Sequence, residues 1–137
     1  MRFMMLMLPA AHCDAPPDAR PSAEAVAKMM RFNKSLQEAG VLLALDGLHP
    51  PSAGVRVTTV NGKLKVSDGP FAETREVVGG YWMIDVASRE EAVAWASRCP
   101  LNPGDTIEIR QVFEMADFPA DVRAAAEGFD ALRASAG

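Results

Sequence analysis

The stretch Ser67–Val86, SDGPFAETREVVGGYWMIDV, decides the fold of this chain. It opens on the turn tripeptide Asp-Gly-Pro, passes through mixed charges to Gly79-Gly80, and ends in a run of large apolar residues. Turn residues followed by aromatic and β-branched side chains are typical of a loop that leads into a buried strand. We therefore predict a long strand over residues 77–86, and we expect the two glycines to allow close approach of another backbone segment.

Upstream of this strand the sequence predicts a strand, a helix and a second strand. Residues 3–8 are apolar at every position, so both faces of the first strand should be covered. The helix is expected to start after an N-cap at Ser22 and to stop at Gly40, before an apolar strand over residues 41–45. The apolar stripe of this helix is predicted to consist of Val26, Met29, Met30 and Leu36.

The remaining elements are a hairpin, a strand and two helices. The runs VRVTTV and KLKV flank Asn61-Gly62, a pair favoured in tight hairpin turns. A helix capped by Ser88 is predicted over residues 88–98, and a strand over residues 106–113 with Ile107, Ile109 and Phe113 on one face. Helical spacing then predicts one amphipathic C-terminal helix through Phe118, Val122, Ala125, Phe129 and Leu132.

With the hairpin set aside, the element order is that of a ferredoxin-like βαββαβ sandwich of the α+β class. We expect one domain over residues 1–137, with a core over 1–116 and the C-terminal helix over 117–137. The helices of this fold cover one face of the sheet, so burial of the other face predicts a homodimer. The same topology predicts that residues 9–20, 46–54, 68–76 and 99–105 converge at one edge of the sheet, as a ligand site requires.

Composition and charge limit the classes of partner. Fourteen basic and 18 acidic residues are scattered along the chain, and no basic run exists to bind nucleic acid. No segment approaches the roughly 20 apolar residues that span a bilayer, and the apolar run at residues 3–8 is short for a secretory signal. We therefore expect a cytoplasmic protein without membrane attachment. Cys13 and Cys99 lack metal-binding spacing, so we expect free thiols, no metal and no cofactor.

Three motifs resemble the DGPF-domain proteins, a branch of the YCII-related family. They are DGPFAETRE, GGYWMIDV and EEAVAWASRCP, and the segments RFNKSLQEAGVLLALDGLHPPS and IEIRQVFEMADF extend the resemblance over nearly the whole chain. The resemblance implies a ferredoxin-like fold that forms a dimeric α/β barrel. It also implies a link to extracytoplasmic-function sigma factors, whose genes often lie beside those of this branch.

Some more distant YCII-like proteins use a His–Asp pair in acid/base chemistry, and this chain departs from that pattern. Met29 stands where those proteins carry the histidine of the first helix. Cys99-Pro100-Leu101 stands where they carry Asp-Pro-Tyr. The resemblance therefore does not carry that pair over to this chain.

Two residues are candidates for catalysis. Asp68 begins the Asp-Gly-Pro turn, where it is either a turn-capping side chain or a rigidly held general base. His49, between loop residues at Leu48 and Pro50, is either simply exposed or a group that titrates near neutral pH.

Four further residues are candidates for binding a ligand. Glu73 and Arg75 form either a surface ion pair or a contact with a polar or acidic ligand. Tyr81 is either a core aromatic or a hydroxyl donor to a pocket. Asn33 falls within the apolar stripe of the first helix, so it is either a hydrogen-bonded structural clamp or a pocket wall.

These residues leave two hypotheses open. The first is a small-molecule-binding or regulatory module whose partners include a small acidic or aromatic ligand or a sigma-factor-related protein. The alternative is a cofactor-independent enzyme that transfers protons, in an elimination or isomerisation, on a small acidic or aromatic substrate. The sequence does not decide between a binding protein and an enzyme.

Overall fold

The computed structural model of the chain describes residues 1–71 and 76–136. Six strands and four α-helices lie within these residues. In chain order they are β1 (Arg2–Leu8), α1 (Ala23–Glu38), β2 (Leu42–Gly47), β3 (Val55–Val60), β4 (Lys63–Asp68), β5 (Gly80–Asp85), α2 (Arg89–Ala96), β6 (Thr106–Gln111), α3 (Ala120–Ala125) and α4 (Phe129–Ala136).

Four strands form an antiparallel sheet in the order β2-β5-β1-β6, while β3 and β4 pair only with each other. β1 lies between β5 and β6, with Met5 opposite Trp82 on one side and opposite Ile109 on the other. β1 and β2 both run antiparallel to β5, so they run parallel to each other, as the topology predicted. The α+β architecture is consistent with the ferredoxin-like fold. The sheet is open, and no barrel closes within the described part of the chain.

The core lies between the sheet and helices α1 and α2. From the sheet, Met5 and Ile84 are completely buried, and from α1 Leu36 is completely buried. Phe32 meets the Trp82 ring edge-on, with 5.5 Å between the ring centroids. Burying a side chain of this size contributes about 1.5–3 kcal/mol, so these contacts stabilise the packing of the helices on the sheet.

The buried stripe of α1 differs from the predicted one. Val26 and Met30 are 43% and 47% exposed, whereas Phe32 is buried beside Leu36. Successive helical residues are rotated by about 100°, so Met30, two positions before Phe32, lies about 160° away from it, on the side of the helix that faces away from the sheet. The prediction of Met29 was correct, because this side chain packs against the core.

The local signals for caps and turns are confirmed. Ser22 Oγ accepts a hydrogen bond from Ala25 N–H at 3.1 Å and caps α1, and Ser88 Oγ caps α2 in the same way. Asn61 and Gly62 both have positive φ, 51° and 76°, as their turn requires.

The end of the chain corrects two predictions. The single C-terminal helix is instead two short helices, α3 and α4, separated at Gly128, whose φ of +88° cannot continue a helix. The last strand ends at Gln111, so Phe113 leaves the sheet and stacks on Phe118 instead of sharing a strand face with Ile109. The strand predicted over residues 77–86 is also shorter, at Gly80–Asp85.

Candidate functional site

Over the described residues, the four loops predicted to converge meet at one edge of the sheet. The loop after β1 is joined to the loop before β6 by a hydrogen bond from Ala10 N–H to Asp105 Oδ1 at 3.0 Å. The loop after β2 is joined to the loop after β1 by a hydrogen bond from Ser52 Oγ–H to Ala15 O at 2.7 Å. The two ends of the β3–β4 hairpin are joined by a hydrogen bond from Gly69 N–H to Gly54 O at 2.9 Å.

Gly79 and Gly80 allow the close backbone approach that the sequence predicted. A β-carbon on Gly79 would lie 2.6 Å from Pro9 Cγ and 2.9 Å from His12 Nδ1, and one on Gly80 would lie 2.8 Å from Asp46 O. Real β-carbons essentially never approach other atoms this closely. The two glycines therefore let the loop after β1 and the end of β2 pack directly against the start of β5.

His12 is a residue at this edge that sequence reasoning did not select. Its Nδ1 is buried and has no hydrogen-bond partner among the residues that the structure describes. Nothing in the sequence around His12 distinguished it from an ordinary loop residue, because its burial depends on Gly79, far away in the chain.

The candidate catalytic residues lie on the surface. Asp68 is the last residue of β4 and His49 precedes a short turn, and both side chains are exposed. No hydrogen bond joins the two side chains within the described residues. The candidates Glu73 and Arg75 lie outside the described residues.

Asn33, on α1, and the side chain of Tyr81, on β5, lie on opposite sides of the sheet, so they do not line the same pocket. Asn33 is half-buried on the helix side, where its Oδ1 accepts a hydrogen bond from Trp82 Nε1 at 2.8 Å. The hydroxyl of Tyr81 donates to Asp46 Oδ2 at 2.9 Å on the other face. This hydrogen bond raises the pKa of Tyr81 above its ordinary value, and the negative charge of Asp46 adds to the effect.

A cavity of about 590 Å³ lies at the opposite end of the molecule, next to residues 112–136, which we call the C-terminal segment. Arg2 and Met83, from strands β1 and β5, line one side. Most other lining side chains are apolar, and they come from the C-terminal segment: Val112, Phe113, Met115, Phe118, Ala126 and Phe129.

The charged groups of this cavity form a paired network. Arg2 donates to both carboxylate oxygens of Glu114, from Nε at 2.7 Å and from Nη2 at 3.2 Å. Arg133 lies 3.6 Å from the same carboxylate and 3.3 Å from Asp130. The hydrogen bond from Arg2 is the main reason that the pKa of Glu114 is lowered, and it raises the pKa of Arg2 in turn. Arg2 is thus held in a bidentate pair with Glu114, whereas Arg133 is 40% exposed and its ion pairs are longer.

The sequence offered no signal for this cavity. Phe129 was recognised as part of an amphipathic helix, but its partner surface was not specified. The cavity exists because the C-terminal segment folds back beside β1, more than 100 residues away in the chain.

The cysteines, the possible metal ligands and the helices of the chain are further features that bear on a site outside the loop edge and the cavity. Cys13 and Cys99 form no disulfide, and burial raises the pKa of Cys99 to about 11, so this thiol is protonated near neutral pH. Over residues 1–71 and 76–136, no three His, Cys, Asp or Glu side chains are grouped as metal ligands would be. None of the helices in the same residues has the length and apolarity needed to cross a bilayer.

Comparison with known proteins places the chain in a family. An uncharacterised protein of Rhizobium meliloti (strain 1021) is 38% identical over 79 residues, a match that covers 55% of this chain. The match covers 64% of that protein, less than two thirds of its length. The profile of the YCII-related domain matches residues 1–116, from the first strand to the turn after the last strand. The chain therefore belongs to the family of proteins with a YCII-related domain.

Proposed function

We propose that the protein is a small-molecule-binding module whose ligand occupies the cavity beside the C-terminal segment. The observation that carries this proposal is the cavity itself. Its volume of about 590 Å³ is in the range of known ligand pockets, which are typically about 300–1,000 Å³. Such pockets combine apolar and aromatic walls with a few polar groups, as this one does.

The lining favours a small aromatic ligand with an acidic group. Phe113 and Phe118 are stacked with 4.9 Å between their centroids, and Phe129 adds a third ring to the lining. Aromatic rings pack favourably against such surfaces. Arg133, the less engaged of the two arginines, is available to pair with a carboxylate or phenolate.

The regulatory part of the proposal rests on resemblance. Within the YCII-related family we assign the chain to the DGPF branch, on the motif that begins at Asp68. A regulatory role linked to sigma factors follows from the gene neighbourhoods of that branch. A ligand that changes the binding of a sigma-factor-related protein to this chain would support this role.

A thermal-shift screen with small aromatic acids tests the proposed site. We expect a binding compound to raise the melting temperature of the unmodified chain, because a ligand that binds only the folded state stabilises it. Phe129→Ala should abolish this rise. Leu132→Ala is the matched control, since Leu132 lies on the same helix and does not line the cavity. Equal shifts in both variants would contradict the assignment of the ligand to this cavity.

The second candidate function is proton transfer at the edge where the four loops converge, with Asp68 as the base and His49 as its partner. The observation that favours it is the convergence itself, together with the buried Nδ1 of His12. Asp68→Asn should leave the melting temperature unchanged and abolish turnover of small acidic or aromatic substrates. A loss of melting temperature without any loss of turnover would give Asp68 a purely structural role.

A further inference from the structure

Three positively charged side chains line a cavity between α1 and the turn that follows α2, which we call the basic cleft. Lys28 and Arg31 come from α1, and Arg98 comes from the turn. The basic cleft has a volume of about 390 Å³, and no carboxylate lines it within the part of the chain that the structure describes. Three positive charges and no negative one therefore meet here, in a chain whose formal net charge is −4.

Local geometry explains how these charges come together. Lys28, Arg31 and Ser35 stand three and four positions apart on α1, so they lie next to one another on the same face of the helix. The guanidinium group of Arg98 lies 4.4 Å from the centroid of the Trp95 ring, a cation–π contact that holds the third charge at the end of α2. The convergence thus follows from helical spacing on one element and from an aromatic contact on the other.

The chain itself neutralises these charges only weakly. Lys28 Nζ lies 3.5 Å from Glu24 Oε1, but this pair is exposed on a single helix and adds little stability. Arg31 and Arg98 form no ion pair with a carboxylate over residues 1–71 and 76–136. In the cavity beside the C-terminal segment, by contrast, two carboxylates face two arginines. An anion bound in the basic cleft would supply the negative charge that its lining lacks.

We propose that the basic cleft binds the phosphate group of a small organic phosphate. Arginine forms paired hydrogen bonds with phosphate oxygens, and a phosphate monoester carries close to two negative charges near neutral pH, whereas a carboxylate carries one. The hydroxyl of Ser35 already donates to Phe32 O at 2.6 Å, so the three cations supply the contacts with the phosphate.

The size of the basic cleft leaves room for an organic part of the ligand. Its volume of about 390 Å³ lies at the lower end of the range of ligand pockets, about 300–1,000 Å³. Phe32 and Pro100 add apolar atoms to the lining beside the cations. The cleft therefore fits a phosphate that carries a small organic group.

Calorimetric titration with inorganic pyrophosphate at low ionic strength tests the site. We expect the unmodified chain to bind pyrophosphate, and we expect Arg31→Gln to weaken this binding by roughly tenfold or more, because the change removes a charged donor. Lys34→Gln is the matched control, since it removes one positive charge from the same helix at an exposed position that does not line the cleft. Equal affinities of the two variants, or no binding by the unmodified chain, would overturn the proposal.

Two further titrations separate the basic cleft from the cavity beside the C-terminal segment. Arg98→Gln should weaken pyrophosphate binding as Arg31→Gln does, whereas Phe129→Ala, which alters the other cavity, should leave it unchanged. Benzoate, a carboxylate with a single charge, should not compete with an equal concentration of pyrophosphate. Binding that is lost in Phe129→Ala and retained in Arg98→Gln would place the phosphate in the other cavity. Competition by benzoate would contradict the assignment of the cleft to phosphate.

Discussion

The hydrogen bond between Trp82 and Asn33 shows how one polar side chain fits into an apolar interface. The indole N–H of Trp82, a residue only 5% exposed, needs an acceptor, and Asn33 Oδ1 supplies it at 2.8 Å. This bond explains why an amide follows Phe32 on the face of α1 that meets the sheet. Asn33 therefore acts as a clamp between α1 and β5.

Removing this acceptor should destabilise the fold. We expect Asn33→Ala to lower the free energy of unfolding by about 1–3 kcal/mol, because the buried indole N–H loses its partner. Urea denaturation followed by tryptophan fluorescence measures the change. Lys34→Ala, at the adjacent exposed position, should leave the denaturation midpoint nearly unchanged. An equal midpoint for both variants would show that Trp82 finds another acceptor.

Between elements, two contacts position the loops and the C-terminal segment. The start of β5 approaches β2 so closely that only glycine fits at Gly80. At the other end, the bidentate pair of Arg2 and Glu114 joins β1 to the turn before α3. Each contact joins segments distant in sequence, and each predicts the effect of a single substitution.

Gly80→Ala should destabilise the pairing of β2 with β5. Its β-carbon would meet the backbone oxygen of Asp46, which cannot move without disturbing the strand, so we expect a loss of about 1–3 kcal/mol. Gly47→Ala is a matched control, because Gly47 faces Gly80 in the register and has open space at its β-carbon position. Thermal denaturation compares the two, and an unchanged melting temperature for Gly80→Ala would show that the strands shift at little cost.

The ion pair of Glu114 should make stability depend on pH in a definite direction. Its pKa in the folded chain lies below the ordinary value of 4.5, so the stabilisation is present above that value and is lost as the pH falls through the lowered pKa. We expect Glu114→Gln to be less stable than the unmodified chain at neutral pH, with a difference that shrinks in acid. Urea denaturation at several pH values measures this difference.

Glu108→Gln controls for the loss of a surface carboxylate. Glu108 also pairs with an arginine, Arg110, but this ion pair is exposed and its 3.5 Å distance is longer than the 2.7 Å between Arg2 and Glu114. A difference for Glu114→Gln that did not shrink in acid would contradict the role of the carboxylate charge.

At the scale of the whole molecule, α1 and α2 cover one face of the sheet, and the C-terminal segment reaches the margin of the other face beside Arg2 and Met83. On the other face Met4, Leu6, Tyr81 and Met83 form a cluster from β1 and β5 and are only partly buried. We propose that a second copy of the chain covers this cluster, which would enclose the apolar residues of both sheets.

Light scattering should then give a particle of twice the 14.7 kDa chain mass at micromolar concentration. We expect Leu6→Lys to produce monomers, because a charged group in the centre of the interface would have to be desolvated. Val93→Lys is the control, since Val93 lies on the outer side of α2 and is 46% exposed. Monomers for the unmodified chain would contradict the proposed interface.

The sequence by itself determined the features that depend on short stretches of chain. The caps at Ser22 and Ser88, the Asn61-Gly62 turn and the order of strands and helices as far as β6 are local, and the structure confirms them. The topology then followed, because sequential βαβ units connect in few ways. It also located the edge where the four loops meet.

Only the tertiary structure decided which face of each element is used. In α1 the predicted Leu36 is buried together with Phe32, whereas the predicted Val26 and Met30 are exposed, because the sheet meets the helix at a particular rotation. Gly128 divided the predicted C-terminal helix, and the cavity formed where that segment meets Arg2. The burial of His12 likewise depends on contact with Gly79. Each of these features depends on segments distant in the chain, for which the periodicity of a single element carries no information.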